Sequence, residues 1–240
     1  MVRHCGPMRH ARQSSKSVRP HEVECWLFDL DNTLYPADCN LFAQIDVRMG
    51  EYISTRLGVD RSEARRIQKA YYFQYGMTLR GLMLEHRIEP RDYLEFVHDI
   101  DISVVPPAPA LDRALADLPG RKVVFTNGST AHAERILAQR GIRDRFDRIF
   151  DIESFGYLPK PMPEPYDHVL GELGIEGSAT VLVEDSPANL RPAVERGMTT
   201  VWVKHGRADL AAGADNPDER YADHITDDLE AWLVALTNDG

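Results

Sequence analysis

No apolar run in this 240-residue chain approaches the ~20 residues that span a bilayer, so no membrane partner is expected. Cysteine is nearly as scarce. Cys5, Cys25 and Cys39 are odd in number and show no C-x-x-C spacing, which argues against a disulfide framework and fits a reducing, cytoplasmic setting. Excess positive charge is missing too: 28 Lys and Arg against 38 acids leave a net charge of -10. A nucleic-acid backbone is therefore not an expected partner. A small anionic substrate stays open, because charge within one site can oppose the global sign. The basic residues that do cluster are Arg3, Arg9, Arg12, Lys16 and Arg19, in a stretch without acids or the apolar centre of a secretory signal. Residues 1–20 are expected to form a disordered basic tail.

What the chain has is enough apolar content, 43%, to bury a sizeable core. Cys25-Trp26-Leu27-Phe28 is an apolar run that ends abruptly in Asp29 and Asp31. Lys122–Phe125, Ala179–Val183 and Thr199–Val203 have the same character, and Ala222–Ile225 is a weaker fifth run. Helical patterns lie between them at Ala131–Arg140, Pro165–Leu173, Pro187–Arg196 and Asp227–Leu236, with Gly141 and Gly197 placed as C-caps. Strands alternating with helices predict a parallel, Rossmann-like sheet flanked by helices.

Residues 40–105 break the alternation. Leu41, Ile45, Met49, Ile53 and Leu57 recur every fourth residue, and Gly58 then stops the helix. Further helices are expected at Ser62–Tyr75, Thr78–His86 and Asp92–Asp99, with Pro106–Pro109 a stiff connector back to the sheet. The organisation predicted is an α/β core over 21–39 and 106–240, with a small all-helical cap over 40–105.

Ligands of open α/β sheets sit beyond the carboxyl ends of the strands. Asp29 and Asp31 fall there, and two close carboxylates repel unless a cation or a shared proton intervenes. The next strand brings Thr126 and Asn127, and the third Glu184 and Asp185. Lys160 stands in a proline-framed loop; its alternative is an ordinary surface pair with Glu164. Hard carboxylate oxygens suit Mg²⁺, and a lysine with neutral donors suits phosphoryl oxygens. One carboxylate can attack phosphorus while a second moves protons.

Taken together, Asp29-Leu30-Asp31-Asn32-Thr33, Thr126-Asn127-Gly128, Lys160-Pro161 and Glu184-Asp185-Ser186-Pro187-Ala188-Asn189 resemble the four ordered motifs of the haloacid dehalogenase superfamily. The resemblance implies Asp29 as nucleophile and Asp31 as general acid/base that also offers a backbone carbonyl to Mg²⁺. It implies Thr126, Asn127 and Lys160 as the phosphoryl holders and Asp185 as a metal ligand. The fourth motif departs from a common pattern, Gly-Asp with an Asp four positions on. Glu184 and Asn189 stand there instead, so their metal roles stay open.

Asp31 favours phosphate-ester hydrolysis over dehalogenation, since a leaving alkoxide needs a proton. Tyr35-Pro36 and the segment Tyr71–Leu82 are similar to the pyrimidine 5′-nucleotidase branch, which implies UMP or CMP as substrate. Tyr75, Thr78 and Arg80 are the candidate substrate contacts. The alternatives are a broad or other small-metabolite phosphatase, such as one for phosphoglycolate or a sugar phosphate, and a catalytically inactive binding protein. Three plainer expectations stand beside these. The aromatic row at 71–75 is expected to pack in a core, Arg61, Arg65, Arg66 and Lys69 to form a solvated helix face, and none of the nine histidines to ligate a metal.

Overall fold

The computed structural model describes residues 17–205 and 219–238. Residues 1–16 of the expected tail, Cys5 among them, lie outside the described residues. Six strands, β1 (Cys25–Phe28), β2 (Arg121–Phe125), β3 (Arg148–Phe150), β4 (Thr180–Glu184), β5 (Thr199–Val203) and β6 (His224–Thr226), form one sheet among the described residues, in the order β3-β2-β1-β4-β5-β6. Every pairing is parallel. β1 sits centrally, with Phe28 beside Val124 on one side and Val183 on the other. The chain order reverses on either side of β1, which makes the edge beyond Phe28 the switch point of the sheet.

The helices are α1 (Leu41–Leu57), α2 (Arg61–Tyr75), α3 (Thr78–His86), α4 (Pro90–Val97), α5 (Pro109–Asp117), α6 (Thr130–Arg140), α7 (Pro163–Leu173), α8 (Pro187–Glu195) and α9 (Leu229–Asn238). Trp26 and Phe28 face one way and pack with Leu111 and Leu115 of α5, Ile136 and Leu137 of α6, and Leu233 of α9. Cys25 and Leu27 face the other way and pack with Tyr166 and Val169 of α7 and Leu190 of α8. Burial on both faces is why β1 reads as an unbroken apolar run with no alternation. Between β1 and β2, helices α1 to α4 build a separate core around Ile45, Tyr52, Ile53, Leu79, Leu82, Tyr93 and Leu94.

Three elements differ from the sequence reading. Pro106–Pro109 is not purely a connector, because Pro109 opens α5 at a first-turn position where its missing N–H costs nothing. β3 has no apolar run to announce it; three residues suffice because they pair with β2 at the sheet edge. The weak fifth run becomes β6, shifted two residues toward the C-terminus at its start. Among the described residues, no helix is long and apolar enough to cross a membrane.

Candidate active site

Asp29 follows β1 directly, and its N–H donates to Val183 O at 2.9 Å, so the backbone still runs in the sheet. The residue is 6% exposed. Lys160 Nζ donates to Asp29 Oδ1 at 2.8 Å, and Thr33 Oγ1 donates to Oδ2 at 3.1 Å. The same ammonium donates to Glu184 Oε2 and Phe125 O, each at 2.7 Å, which uses all three of its hydrogens. The sequence alternative of a surface Lys160–Glu164 pair is therefore not what the fold makes: Lys160 is 2% exposed. Asn127 supports the lysine loop from both ends. Its Oδ1 accepts from Lys160 N at 2.8 Å and its Nδ2 donates to Lys160 O at 3.1 Å.

Thr126 follows β2 directly, its N–H donating to Phe150 O, and its buried hydroxyl accepts from Gly128 N at 2.9 Å. That leaves the hydroxyl hydrogen free to turn toward a ligand. Glu184 closes β4, with Oε1 accepting from Ser186 N at 3.1 Å. Asp185, partly exposed, follows on the cleft wall. Asp29, Glu184 and Asp185 each bring a carboxylate oxygen within 4.8 Å of the others.

Three acids thus share one ammonium. Burial and the Glu184 charge push Asp29 up to about 7. Loss of solvation, then Glu184 and Asp29, raise Asp185 well above the usual carboxylate range. Lys160 moves upward despite its burial, because Asp29 and Glu184 hold its proton. The acid surplus and the spacing fit a divalent cation with hard oxygen ligands.

Asp31 has different surroundings. Tyr35 OH donates to its Oδ1 at 2.7 Å, and His132 Nε2 meets the same oxygen at 2.9 Å. Burial works against ionisation, but the His132 charge and hydrogen bond, with the Tyr35 hydroxyl, hold Asp31 down to about 2. The two acids are therefore driven apart by environment, as paired carboxylates with different tasks are.

These groups open into a cleft of about 1960 Å³ bounded by the sheet edge and the helical cap. Of the three candidate cap contacts, Thr78 lines it, while Tyr75 and Arg80 do not. Thr78 Oγ1 donates to Gln68 O at 3.1 Å, and Tyr75 is tied to Glu85. Other polar groups of the cap that line the cleft include Asp46, Arg65, Gln68 and Lys69. Gln68 Nε2 donates to Asp46 Oδ1 at 2.8 Å, Arg65 pairs with Asp46, and Lys69 Nζ stands 4.0 Å from it. The expected solvated basic face holds for Arg61, Arg65 and Arg66, which are exposed, and needs correction at half-buried Lys69; ion pairing with Asp46 is an added feature of Arg65 and Lys69. α1 and α2 lie side by side, which brings those two across to Asp46. The aromatic row also differs from the expected core: Tyr72 and Phe73 are 42% and 59% exposed, because only one side of α2 meets the other cap helices.

His132, Tyr35 and Gln68 were missed as site residues. Tyr35 carries a sequence signal, lying four residues past Asp31 in the same turn. His132 and Gln68 carry none, since only tertiary packing brings α6 and α2 to the cleft.

A model of the haloacid dehalogenase-like hydrolases matches residues 23–195. Phosphate metabolism protein 8 of Saccharomyces cerevisiae is 29% identical over 192 residues, covering 72% of this chain and 59% of that protein. The chain thus spans less than two thirds of that relative's length. Pyrimidine 5′-nucleotidase YjjG of Escherichia coli is 23% identical over 194 residues, 74% of this chain and 85% of its own. Fructose-1-phosphate phosphatase YqaB of the same organism is 24% identical over 185 residues, 74% and 95% respectively. With the family match covering the sheet edge, the helical insertion and all four motifs, the chain belongs to the haloacid dehalogenase-like hydrolases.

Proposed function

We propose that the protein is a Mg²⁺-dependent phosphomonoester hydrolase that works through an aspartyl-phosphate, with pyrimidine nucleoside 5′-monophosphates, UMP and CMP, as substrates. The observation that carries the hydrolase reading is the pair of acids at the end of β1. Asp29 is gripped by Lys160 and Thr33, and Asp31 is held separately by Tyr35 and His132.

In this reading an Asp29 oxygen attacks phosphorus and the ester P–O bond breaks. Asp31 gives its proton to the departing oxygen. The resting Asp31 is ionised, but the negative charge of an incoming phosphate drives its carboxyl back toward the protonated form. In the second step Asp31, now a carboxylate, takes a proton from water as that water attacks the phosphorus, which frees Asp29 and phosphate. Lys160 supplies fixed positive charge at Asp29, and Thr126 and Asn127 donate to phosphoryl oxygens. Asp29 and Asp185, with Glu184 adjoining and the Asp31 carbonyl as the resemblance implies, would hold Mg²⁺, which would supply positive charge for the phosphoryl oxygens.

Support for a nucleotide rests on the Tyr35-Pro36 and Tyr71–Leu82 resemblance together with the nucleotidase relative. A sugar phosphate is the second reading. It draws on the polar cap lining of Asp46, Gln68 and Lys69 and on the relative named for fructose-1-phosphate. A panel of UMP, CMP, AMP, phosphoglycolate and sugar phosphates, assayed with Mg²⁺, separates them. UMP and CMP are expected to exceed the rest by at least about tenfold in kcat/KM. A flat profile, or a sugar phosphate leading, defeats the pyrimidine reading.

The cap lining gives a second expected result. Lys69→Met is expected to raise KM for the preferred substrate by roughly tenfold, the effect of losing one charged hydrogen bond. Its kcat should hold, because Lys69 lies on the cap and not at the phosphoryl site. Unchanged KM values across the panel would place substrate recognition elsewhere.

A further inference from the structure

The two donors on Asp31 land on one oxygen. Tyr35 OH and His132 Nε2 both reach Oδ1, at 2.7 and 2.9 Å. Both donors are buried, Tyr35 at 1% exposed and His132 likewise at 1%. Oδ2 receives neither bond. It lies on the Gly128 side, where a Cβ built on that glycine would stand 3.6 Å from it. A carboxylate held this way has one oxygen fixed and one left for chemistry.

His132 is itself braced. The ring of His98 stacks on it with centroids 4.3 Å apart and planes 9° from parallel. His98 closes the C-terminal end of α4, so this ring comes from the cap, while His132 stands in the first turn of α6 in the core. His98 Nδ1 shares a 3.0 Å hydrogen bond with Ser129 Oγ, the N-cap of α6. Arg135, also on α6, donates to His98 O at 2.8 Å and to Ile100 O at 3.1 Å. Among the described residues the buried Nδ1 of His132 has no hydrogen-bond partner. A buried polar atom left unpaired is a cost that the fold would shed if the ring served packing alone.

We propose that His132 and Tyr35 are positioning residues that pin Oδ1 of Asp31 and leave Oδ2 as its proton-handling atom, with cap-borne His98 bracing His132 from the α4 end. The assignment rests on the reading of Asp31 as the group that protonates the leaving oxygen. Aligned general-acid catalysis contributes about 10²–10⁴-fold, and a misaligned carboxyl forfeits part of it. The loss falls on esters that need the proton and spares those whose leaving group departs without it.

Phenyl phosphate and 4-nitrophenyl phosphate have nearly the same shape and differ in leaving group, so they isolate this effect. With Mg²⁺ present, Tyr35→Phe and His132→Phe are expected to lower kcat/KM for phenyl phosphate at least about tenfold more than for 4-nitrophenyl phosphate. His132→Gln, which keeps a donor near the Nε2 position, should recover much of that difference. Equal losses on both esters, or none, would overturn the assignment. Tyr35→Phe removes one hydroxyl and keeps the ring, so it tests the idea even if His132→Phe does not fold. Asp31→Asn serves as the control. If it shows no leaving-group dependence, the acid role of Asp31 itself fails. If it does and the two supporting variants do not, only the positioning role fails.

Discussion

Asp29→Asn is expected to reduce turnover of every phosphate ester by at least about 10³-fold, while the protein stays folded. Asn keeps the shape and one acceptor for Lys160 but cannot form the acyl phosphate. The same substitution has a thermodynamic signature. Burial and Glu184 raise the Asp29 carboxyl to about 7 in the folded protein, against about 3.9 when unfolded. A raised carboxyl costs nothing below pH 4, costs progressively more between pH 4 and 7, and reaches its full cost above 7. Asn carries no such cost. With a chelator present, the melting temperature of Asp29→Asn relative to the parent protein should therefore rise from pH 5 to pH 8. Appreciable residual turnover would refute the nucleophile role. A pH-independent difference in melting temperature would refute the electrostatic account of the site.

Much of this site was legible before any coordinates, for a physical reason. Each strand that carries a site residue is buried on both faces, so it reads as an apolar run, and the residue past its end stands out as the first polar one. Asp29, Thr126, Glu184 and Asp185 share that signature. Lys160 has a different one, a charge framed by Pro159 and Pro161, and the fold encloses it completely. What stayed hidden depends on packing between elements. His132 lies in an ordinary amphipathic helix whose period says which residues are inside but not that one of them touches Asp31. The basic residues of α2 have the spacing of a solvated face, and only the approach of α1 with Asp46 separates Arg65 and Lys69 from Arg61 and Arg66. β3 escaped notice because three residues at a sheet edge, one of them Arg148, make no apolar run. Motif and strand end are local facts, whereas support shells and cap contacts are not.

The contrast between the two acids also bears on the order of events. Asp29 shares its surroundings with two further carboxylates and one lysine, so any added positive charge stabilises its ionised, attacking form. Asp31 already has its own donors in Tyr35 and His132 and does not depend on that lysine. An anion entering the cleft therefore affects the two acids differently. Its charge favours proton uptake at both carboxyls, but at Asp29 the hydrogen-bonded Lys160 ammonium opposes it directly. Separate electrostatic supply is what lets two neighbouring aspartates act as nucleophile and proton carrier in one cycle.

Lys160→Met should be the single change most damaging to stability, and it should also abolish most activity. The ammonium donates to Asp29, Glu184 and the Phe125 carbonyl, and its side chain is 1% exposed. Methionine fills much of the volume but leaves two buried carboxylates facing each other without a cation. Removing one partner of a buried ion pair costs about 3–5 kcal/mol. For a chain of this length, a shift of 2–4 °C per kcal/mol gives a fall in melting temperature of roughly 10 °C. The deficit carries its own pH sign. Without Lys160 the Asp29 carboxyl titrates higher still, so the penalty is absent below about pH 4 and grows as pH rises through neutrality. Divalent cation should partly replace the lost charge. Mg²⁺ is then expected to raise the melting temperature of the variant more than that of the parent protein, with catalysis still lost by at least about 10³-fold because the phosphoryl site lacks its ammonium. A variant that melts within 2–3 °C of the parent in chelator, or that gains nothing extra from Mg²⁺, would show that Lys160 is not the charge holding this acid cluster together.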